Sequence, residues 1–140
     1  MSVYDRLQSA FEERLAGFQH LPAGGVEWPN VALDAPEAGE AWVRCRFTPS
    51  AASRRGLGEG GHSRIDGLFT MWLNWPRGVG TSESAIVADR LVKLFKSGTR
   101  VESGGEYATC LSALNQGGGV EGAWWVTPIV VSWYAHTTKV

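Results

Sequence analysis

Apolar residues recur at helical spacing near the start of the chain. Successive members of one set are separated by four, four and three positions, which places the set on one face of a helix: Leu7, Phe11, Leu15 and Phe18. Ser2 precedes this segment and is a residue type that caps helix N-termini. Pro22 follows it and cannot continue a helix. The pattern therefore predicts an N-terminal amphipathic helix.

A second apolar stripe with helical spacing runs from about Ser82 to Phe95. Thr81 or Ser82 is expected to cap its start, and Glu83 suits the positive first turn. Gly98 is expected to supply the turn at its end. The stripe consists of Ile86, Val87, Leu91, Leu94 and Phe95.

Two segments alternate with a period of two, which is typical of strands with one buried face. In the first, Ala41 to Phe47, one face carries Ala41, Val43, Cys45 and Phe47 and the other carries Trp42, Arg44 and Arg46. In the second, which runs from Leu68 to Trp75, Phe69 and Met71 share the more apolar face, and Trp72 lies on the other. A tryptophan between two arginines indicates more than a solvated surface, because arginine can stack on it or meet carboxylates of a partner.

Four further segments are predicted to be extended or to form strands. They are "VEWPNVAL" as a short extended segment, "TRVES", Tyr107 to Leu114, and Trp124 to Tyr134. Pro128 indicates that the last strand is broken or lies at an edge, because proline cannot donate to a strand ladder. The segment "NQGGGVEG" reads as a turn.

These elements predict one α+β domain spanning residues 1–140, in the order α-β-β-β-α-β-β-β. The sheet is expected to be mixed but mainly antiparallel, with both helices packed on one face. The side chains expected to be mostly buried are Leu7, Phe11, Leu15, Phe69, Met71, Ile86, Leu91, Leu94 and Val130.

A glycine-rich segment, "PSAASRRGLGEGGHSR", separates the two alternating strands. It has almost no apolar residue besides Leu57, so we predict a long flexible loop at about residues 50–64. Its arginines, Arg54, Arg55 and Arg64, could make charge-assisted contacts with a neighbouring protein. We expect the loop to become ordered on assembly; the alternative is a solvated loop without a partner.

The corner "MWLNWPRGVGTSESAI" joins a strand to a helix through Gly78 and Gly80. A P-loop would need G-x-x-x-x-G-K-[ST], and no lysine follows until Lys93. A dinucleotide-binding turn would need a third glycine, which is also missing. We therefore interpret the glycines as turn residues that hold a helix against a sheet.

No residue pattern indicates catalysis, a cofactor or a metal. Cys45 and Cys110 lack metal spacing and are expected to be small buried strand residues. The three histidines are His20, His62 and His136, and none pairs with Cys, Asp or Glu at a ligand spacing. No apolar run approaches the roughly 20 residues that a membrane span requires, so no membrane partner is expected.

Seven tryptophans in 140 residues leave two interpretations open: a partner surface, or the filling of a sheet-rich core. The formal net charge of −1 gives no overall attraction for nucleic acid. The residues that we predict to form an assembly interface are Trp42, Arg44, Arg46, Arg54, Arg55, Arg64 and Trp72.

The full chain resembles the tail terminator family of long-tailed bacteriophages. The likeness rests on an ordered set of segments: the N-terminal helix, "VEWPNVAL", "AWVRCRF", "RRGLGEGG", "GLFTMWLNWPRGVG", "SAIVADRLVKLF" with "KSGTRV", and "WVTPIVVSWY". It implies a structural protein, without catalytic residues, that forms a ring at the head-proximal end of the virion tail. The implied ring is a hexamer, assembled in the host cytoplasm, that stops growth of the tail tube and presents a surface for the head.

The resemblance also implies partners. They are other copies of the chain, the tail-tube protein, the head-tail connector protein, and genomic DNA that passes through the ring without sequence-specific binding. Other functions remain open: a different head-tail connector or tail-completion protein, a small-molecule-binding domain, or a nucleic-acid-binding module that uses tryptophan and arginine. The near-neutral charge argues against the last.

Overall fold

A computed structural model describes residues 2–29, 40–50, 53–54 and 63–137. Within these residues the chain forms two helices and eight strands. They are α1 (Val3–Ala16), β1 (Val26–Glu27), β2 (Trp42–Pro49), β3 (Ser53–Arg54), β4 (Ser63–Pro76), α2 (Ser82–Leu94), β5 (Arg100–Ser103), β6 (Glu106–Asn115), β7 (Gly119–Glu121) and β8 (Trp124–Thr137).

The strands of the described chain form one sheet, in the order β1-β2-β4-β8-β6-β5. The short strands β3 and β7 pair with β4 and β8. Only the β1–β2 pair is parallel in the described residues, so the predicted mixed, mainly antiparallel α+β domain is confirmed. The predicted order of the helices and main strands is also confirmed, and β3 and β7 add to it.

The centre of the sheet is the pair of β4 and β8. These strands have 14 residues each and pair from Ser63↔Thr137 to Pro76↔Trp124. Because strand side chains alternate between faces, Phe69 and Met71 point to the same side as their neighbours Val131 and Ile129. This side of the sheet is the core face.

Both helices pack on the core face, as predicted. The ring centroid of Phe11 in α1 lies 5.1 Å from that of Phe69 in β4 and 6.1 Å from that of Phe95, which directly follows α2. The fully buried side chains of this core include Leu7, Phe11, Leu15, Val43, Ile65, Phe69, Met71, Leu73, Leu91, Phe95, Ile129, Val131 and Trp133.

The two helices begin differently. Ser2 and Asp5 form a reciprocal capping box at the start of α1, which confirms Ser2 as its N-cap. Thr81 precedes α2, but its side chain makes no capping hydrogen bond, so the predicted side-chain cap is wrong. Instead, Ser84 Oγ donates to the Thr81 carbonyl oxygen at 3.1 Å.

The buried face of α2 is rotated from the predicted stripe. Ile86 is 52% exposed, so its predicted burial is wrong. Ser84 and Ala88 face the core with Leu91, because small side chains allow the helix to approach the sheet closely. Leu94 is half-buried at the edge of the same contact.

The last strand corrects two further predictions. Val130 is only half-buried, because it alternates with Ile129 and Val131 and lies on the opposite face. β8 is central rather than broken or at an edge. Pro128 fits there because β6 pairs with β8 only as far as Ile129 and β7 pairs with it only up to Val126, so the ladder on that side is interrupted beside Pro128.

Residues near the turns were predicted with mixed success. Gly78 and Gly80 have φ of +92° and +83°, which confirms their role as turn residues. The predicted turn "NQGGGVEG" contains β7, which forms a hairpin with β8. Within the predicted 50–64 loop, Ser53 and Arg54 pair with Arg64 and Ser63, so these positions are strand rather than loop. Residues 51–52 and 55–62 lie outside the described part of the chain.

A candidate assembly surface on the open face of the sheet

The side of the sheet opposite α1 and α2 is covered by neither helix, and we call it the open face. Even-numbered side chains of β2 and β4 lie there because the odd-numbered ones fill the core. Of the seven predicted interface residues, the open face brings together Trp42, Arg44, Arg46, Arg64 and Trp72.

Arg44 and Trp72 form a cross-strand pair at the centre of the open face. They are directly opposed in the β2–β4 register, and the guanidinium carbon of Arg44 lies 4.6 Å from the Trp72 ring centroid. Such cation–π contacts hold a guanidinium in a fixed position while leaving its N–H groups able to donate to a partner. Arg46 is the next residue of β2 on the open face; it is exposed and lies opposite Thr70 of β4.

Arg64 is held in a similar way at the start of β4. Its guanidinium carbon lies 4.6 Å from the Tyr134 ring centroid of β8. Nε and Nη2 of Arg64 each lie 2.9 Å from Oδ1 of Asp66, on the same strand. The carboxylate and the ring therefore fix this arginine, although the pair is partly exposed and contributes little to stability.

A third pair of this kind was missed by the sequence analysis. The guanidinium carbon of Arg100 in β5 lies 4.1 Å from the Tyr107 ring centroid of β6. The tight turn at Gly104 and Gly105 pairs Glu102 with Tyr107. Arg100 lies two residues before Glu102 on the same face of the strand, so it is diagonally across from the Tyr107 ring. Deriving the register from this two-glycine turn would have found the pair.

Trp42 lies at the other end of the open face, against Trp124 of β8. The two rings meet edge to face with centroids 5.9 Å apart. Trp42 is half-buried, and its Nε1 is buried without a hydrogen-bond partner among the described residues. Trp124 was also not singled out from sequence, because nothing local indicates that β8 lies two strands away from β2.

Apolar side chains lie between the arginine–aromatic pairs. Leu68 is 41% exposed and Leu114 is 56% exposed. A hollow of about 420 Å³ beside Leu68 is lined also by Thr48, Leu111 and Ser132. Aromatic residues and arginine are enriched at protein–protein interfaces, and the exposed leucines add apolar surface beside them.

The two remaining candidates are less well placed. Arg54 belongs to β3, where its backbone pairs with Ser63 of β4; its side chain is outside the described set. Arg55 lies outside the described residues. Their predicted role in assembly stays a prediction.

The described part of the chain contains no group of three or more His, Cys, Asp or Glu side chains that could hold a metal ion. Cys45 and Cys110 are both buried, and neither forms a disulfide bond. Burial raises the pKa of the Cys45 thiol to about 12 and that of Cys110 to about 11, so both are protonated at neutral pH. Among the described helices, none is long and apolar enough to cross a membrane.

Comparison with known proteins identifies the family. The family model described as phage tail terminator protein matches residues 6–133. The chain belongs to the phage tail terminator family. This match confirms the resemblance seen in the sequence, and it makes the chain a structural protein of the phage tail, located in the virion.

A solved structure shows that the tail terminator chain shares its fold with another protein. The two are 28% identical, with a TM-score of 0.70, and the similarity covers 93% of this chain and 92% of the other. The comparison with curated proteins found no match.

Proposed function

We propose that this protein forms a closed ring at the head-proximal end of the tail. There it ends polymerisation of the tail tube and presents a surface for the head-tail connector. The proposal is carried by one observation: a chain of the tail terminator family places three ordered arginines and two exposed leucines on a sheet face that neither helix covers.

The composition of the open face supports contact between subunits. Cation–π stacking on Trp72, Tyr134 and Tyr107 restricts the arginines before binding, which lowers the entropy lost when a partner is bound. Head-to-tail contacts between identical subunits close into a ring when the rotation between neighbours completes a circle. The family resemblance implies six subunits.

The same geometry argues against the nucleic-acid-binding alternative. Single-strand binding proteins stack bases on the faces of aromatic rings. On the open face, rings of Trp72, Tyr134 and Tyr107 each carry a guanidinium at 4.1 to 4.6 Å from the ring centroid. We therefore propose that genomic DNA passes through the ring without being bound through these rings.

Assembly can be measured directly. We expect the wild-type protein, added to polymerising tail-tube protein, to give short tubes of uniform length with a ring at one end in electron micrographs. Arg46→Glu should weaken capping, because it replaces a positive charge of the proposed interface by a negative one. The melting temperature should stay nearly unchanged.

Arg77→Glu is the matched control, because Arg77 is exposed at the corner before α2 and its replacement changes the net charge equally. It should cap tubes as the wild type does. A wild-type protein that forms no ring, alone or with tubes, and leaves tube lengths unchanged would refute the proposed function.

A further inference from the structure

A second charged surface lies on the helical side of the molecule. The ends of α1 and α2 border a groove of about 500 Å³, which we call the basic groove. Its lining includes Arg14, His20, Arg90, Lys93 and Lys96, and no carboxylate. Sequence analysis did not find it, because its two halves are separated by about 70 residues of chain.

The two arginines of the basic groove are held by the protein itself. Arg14 Nε donates to the Leu94 carbonyl oxygen at 2.8 Å and so joins the ends of the two helices. Arg90 Nη1 lies 2.9 Å from His20 Nδ1. Because arginine can only donate, Nδ1 accepts, and the proton of the neutral ring is on Nε2.

The partial negative charges at the C-terminal ends of the two helices do not offset the positive charge of the groove. The C-terminal ends of two helices correspond to roughly −0.5 elementary charge each, or about −1 together. Four permanent positive charges line the groove, which leaves a surplus of about +3. Lys93 and Lys96 are exposed, and the ammonium group of neither makes a hydrogen bond or ion pair with another described residue.

Acidic residues that neighbour the groove in sequence do not line it. Glu13 and Asp89 precede Arg14 and Arg90 in the chain, but neither belongs to the lining. Phe18 and Leu94 add apolar surface between the cations. The groove therefore offers lysine donors for carboxylates and apolar surface for the carbon stems of acidic side chains.

We propose that the basic groove binds an acidic segment of a partner protein through its glutamate or aspartate side chains. A volume of about 500 Å³ accommodates a few side chains, whereas duplex DNA would require cations spread along a longer surface. This proposal does not depend on ring formation, because the groove lies within one copy of the chain.

The test uses fluorescein-labelled hexaglutamate and the full chain, with binding followed by fluorescence anisotropy at about 0.1 M salt, where long-range attraction is screened. Lys93→Glu and Lys96→Glu should each weaken binding on the order of tenfold, because each replaces an attraction by a repulsion. Arg77→Glu changes the net charge by the same amount outside the groove and should leave binding within about twofold of wild type.

A single-stranded hexanucleotide serves as the competing ligand. Tighter binding of the hexanucleotide than of hexaglutamate, lost in the same lysine variants, would replace the acidic-segment proposal by a nucleic-acid site. Absence of hexaglutamate binding to the wild type, or equal weakening by Arg77→Glu, would overturn it. Melting temperatures of all variants establish that each is folded before binding is compared.

Discussion

Gly67 and Trp133 are opposed residues of β4 and β8, and the Trp133 indole occupies the space that a side chain on Gly67 would need. A Cβ on Gly67 would lie 2.7 Å from Trp133 Cε2 and 2.8 Å from the Thr48 carbonyl oxygen. The indole is fully buried and stacks on Phe47, with ring centroids 5.1 Å apart. A glycine inside a long central strand is thus explained by the close approach of a large ring.

Gly67→Ala should therefore destabilise the protein by about 1–3 kcal/mol, as expected for overpacking of a well-packed core. Gly119→Ala is the control, because at that position in β7 no described residue other than Gly119 and its two chain neighbours has an atom within 4 Å of a Cβ. Its effect should stay within about 0.5 kcal/mol. The measurement is urea unfolding of both variants; similar midpoints for the two would contradict the proposed role of Gly67.

The register of α2 can be tested by two truncations on one helix. Leu91 is fully buried, so Leu91→Ala should cost about 2–5 kcal/mol. Ile86 is 52% exposed, so Ile86→Ala should change the free energy of unfolding by less than about 1 kcal/mol. Thermal or urea unfolding distinguishes the two, and a larger loss from Ile86→Ala would restore the register first predicted from sequence.

The case of α2 shows what hydrophobic periodicity can determine. The apolar residues indicated a helix and roughly its limits, since Leu91 and Phe95 belong to any amphipathic reading. They did not fix its rotation, because Ser84 and Ala88 face the core as small residues that carry almost no hydrophobic signal. Contact with the sheet, not local pattern, selects the buried face.

The open face was predictable only in part for a related reason. Alternation in β2 placed Trp42, Arg44 and Arg46 on one side without reference to the rest of the fold. The partners of these residues depend on strand order. β4 pairs with β8, which follows it by some 50 residues, so Tyr134 could not be matched to Arg64 from local sequence.

The buried thiols predict a dependence of stability on high pH. Burial raises the pKa of Cys45 to about 12 and of Cys110 to about 11, from an ordinary value of 9.0; carboxylates of Glu12 and Glu27 add to the shift of Cys45. Above pH 9 the unfolded chain loses thiol protons that the folded protein keeps. The resulting stabilisation is complete below pH 9 and is lost as the pH rises towards 11 to 12.

The measurement is the free energy of unfolding at pH 8 and at pH 10.5 under reducing conditions. It compares the wild type with Cys45→Ala/Cys110→Ala. The wild type should lose more stability than the variant between the two pH values, because the other titrating groups are common to both proteins. Equal losses would show that the thiols do not contribute to the alkaline decline.

Two exposed apolar residues on opposite sides of the molecule test the location of the assembly surface. Leu114 is 56% exposed on the open face, and Ile86 is 52% exposed on α2. Leu114→Asp should prevent ring formation and tube capping, because it places a charge in the apolar part of the proposed interface. Ile86→Asp should assemble as the wild type does.

Both variants should remain folded, since neither side chain is buried, and melting temperatures check this. Sedimentation velocity and the tail-length distribution in electron micrographs report assembly. Failure of Ile86→Asp together with normal capping by Leu114→Asp would place the subunit interface on the helical side instead.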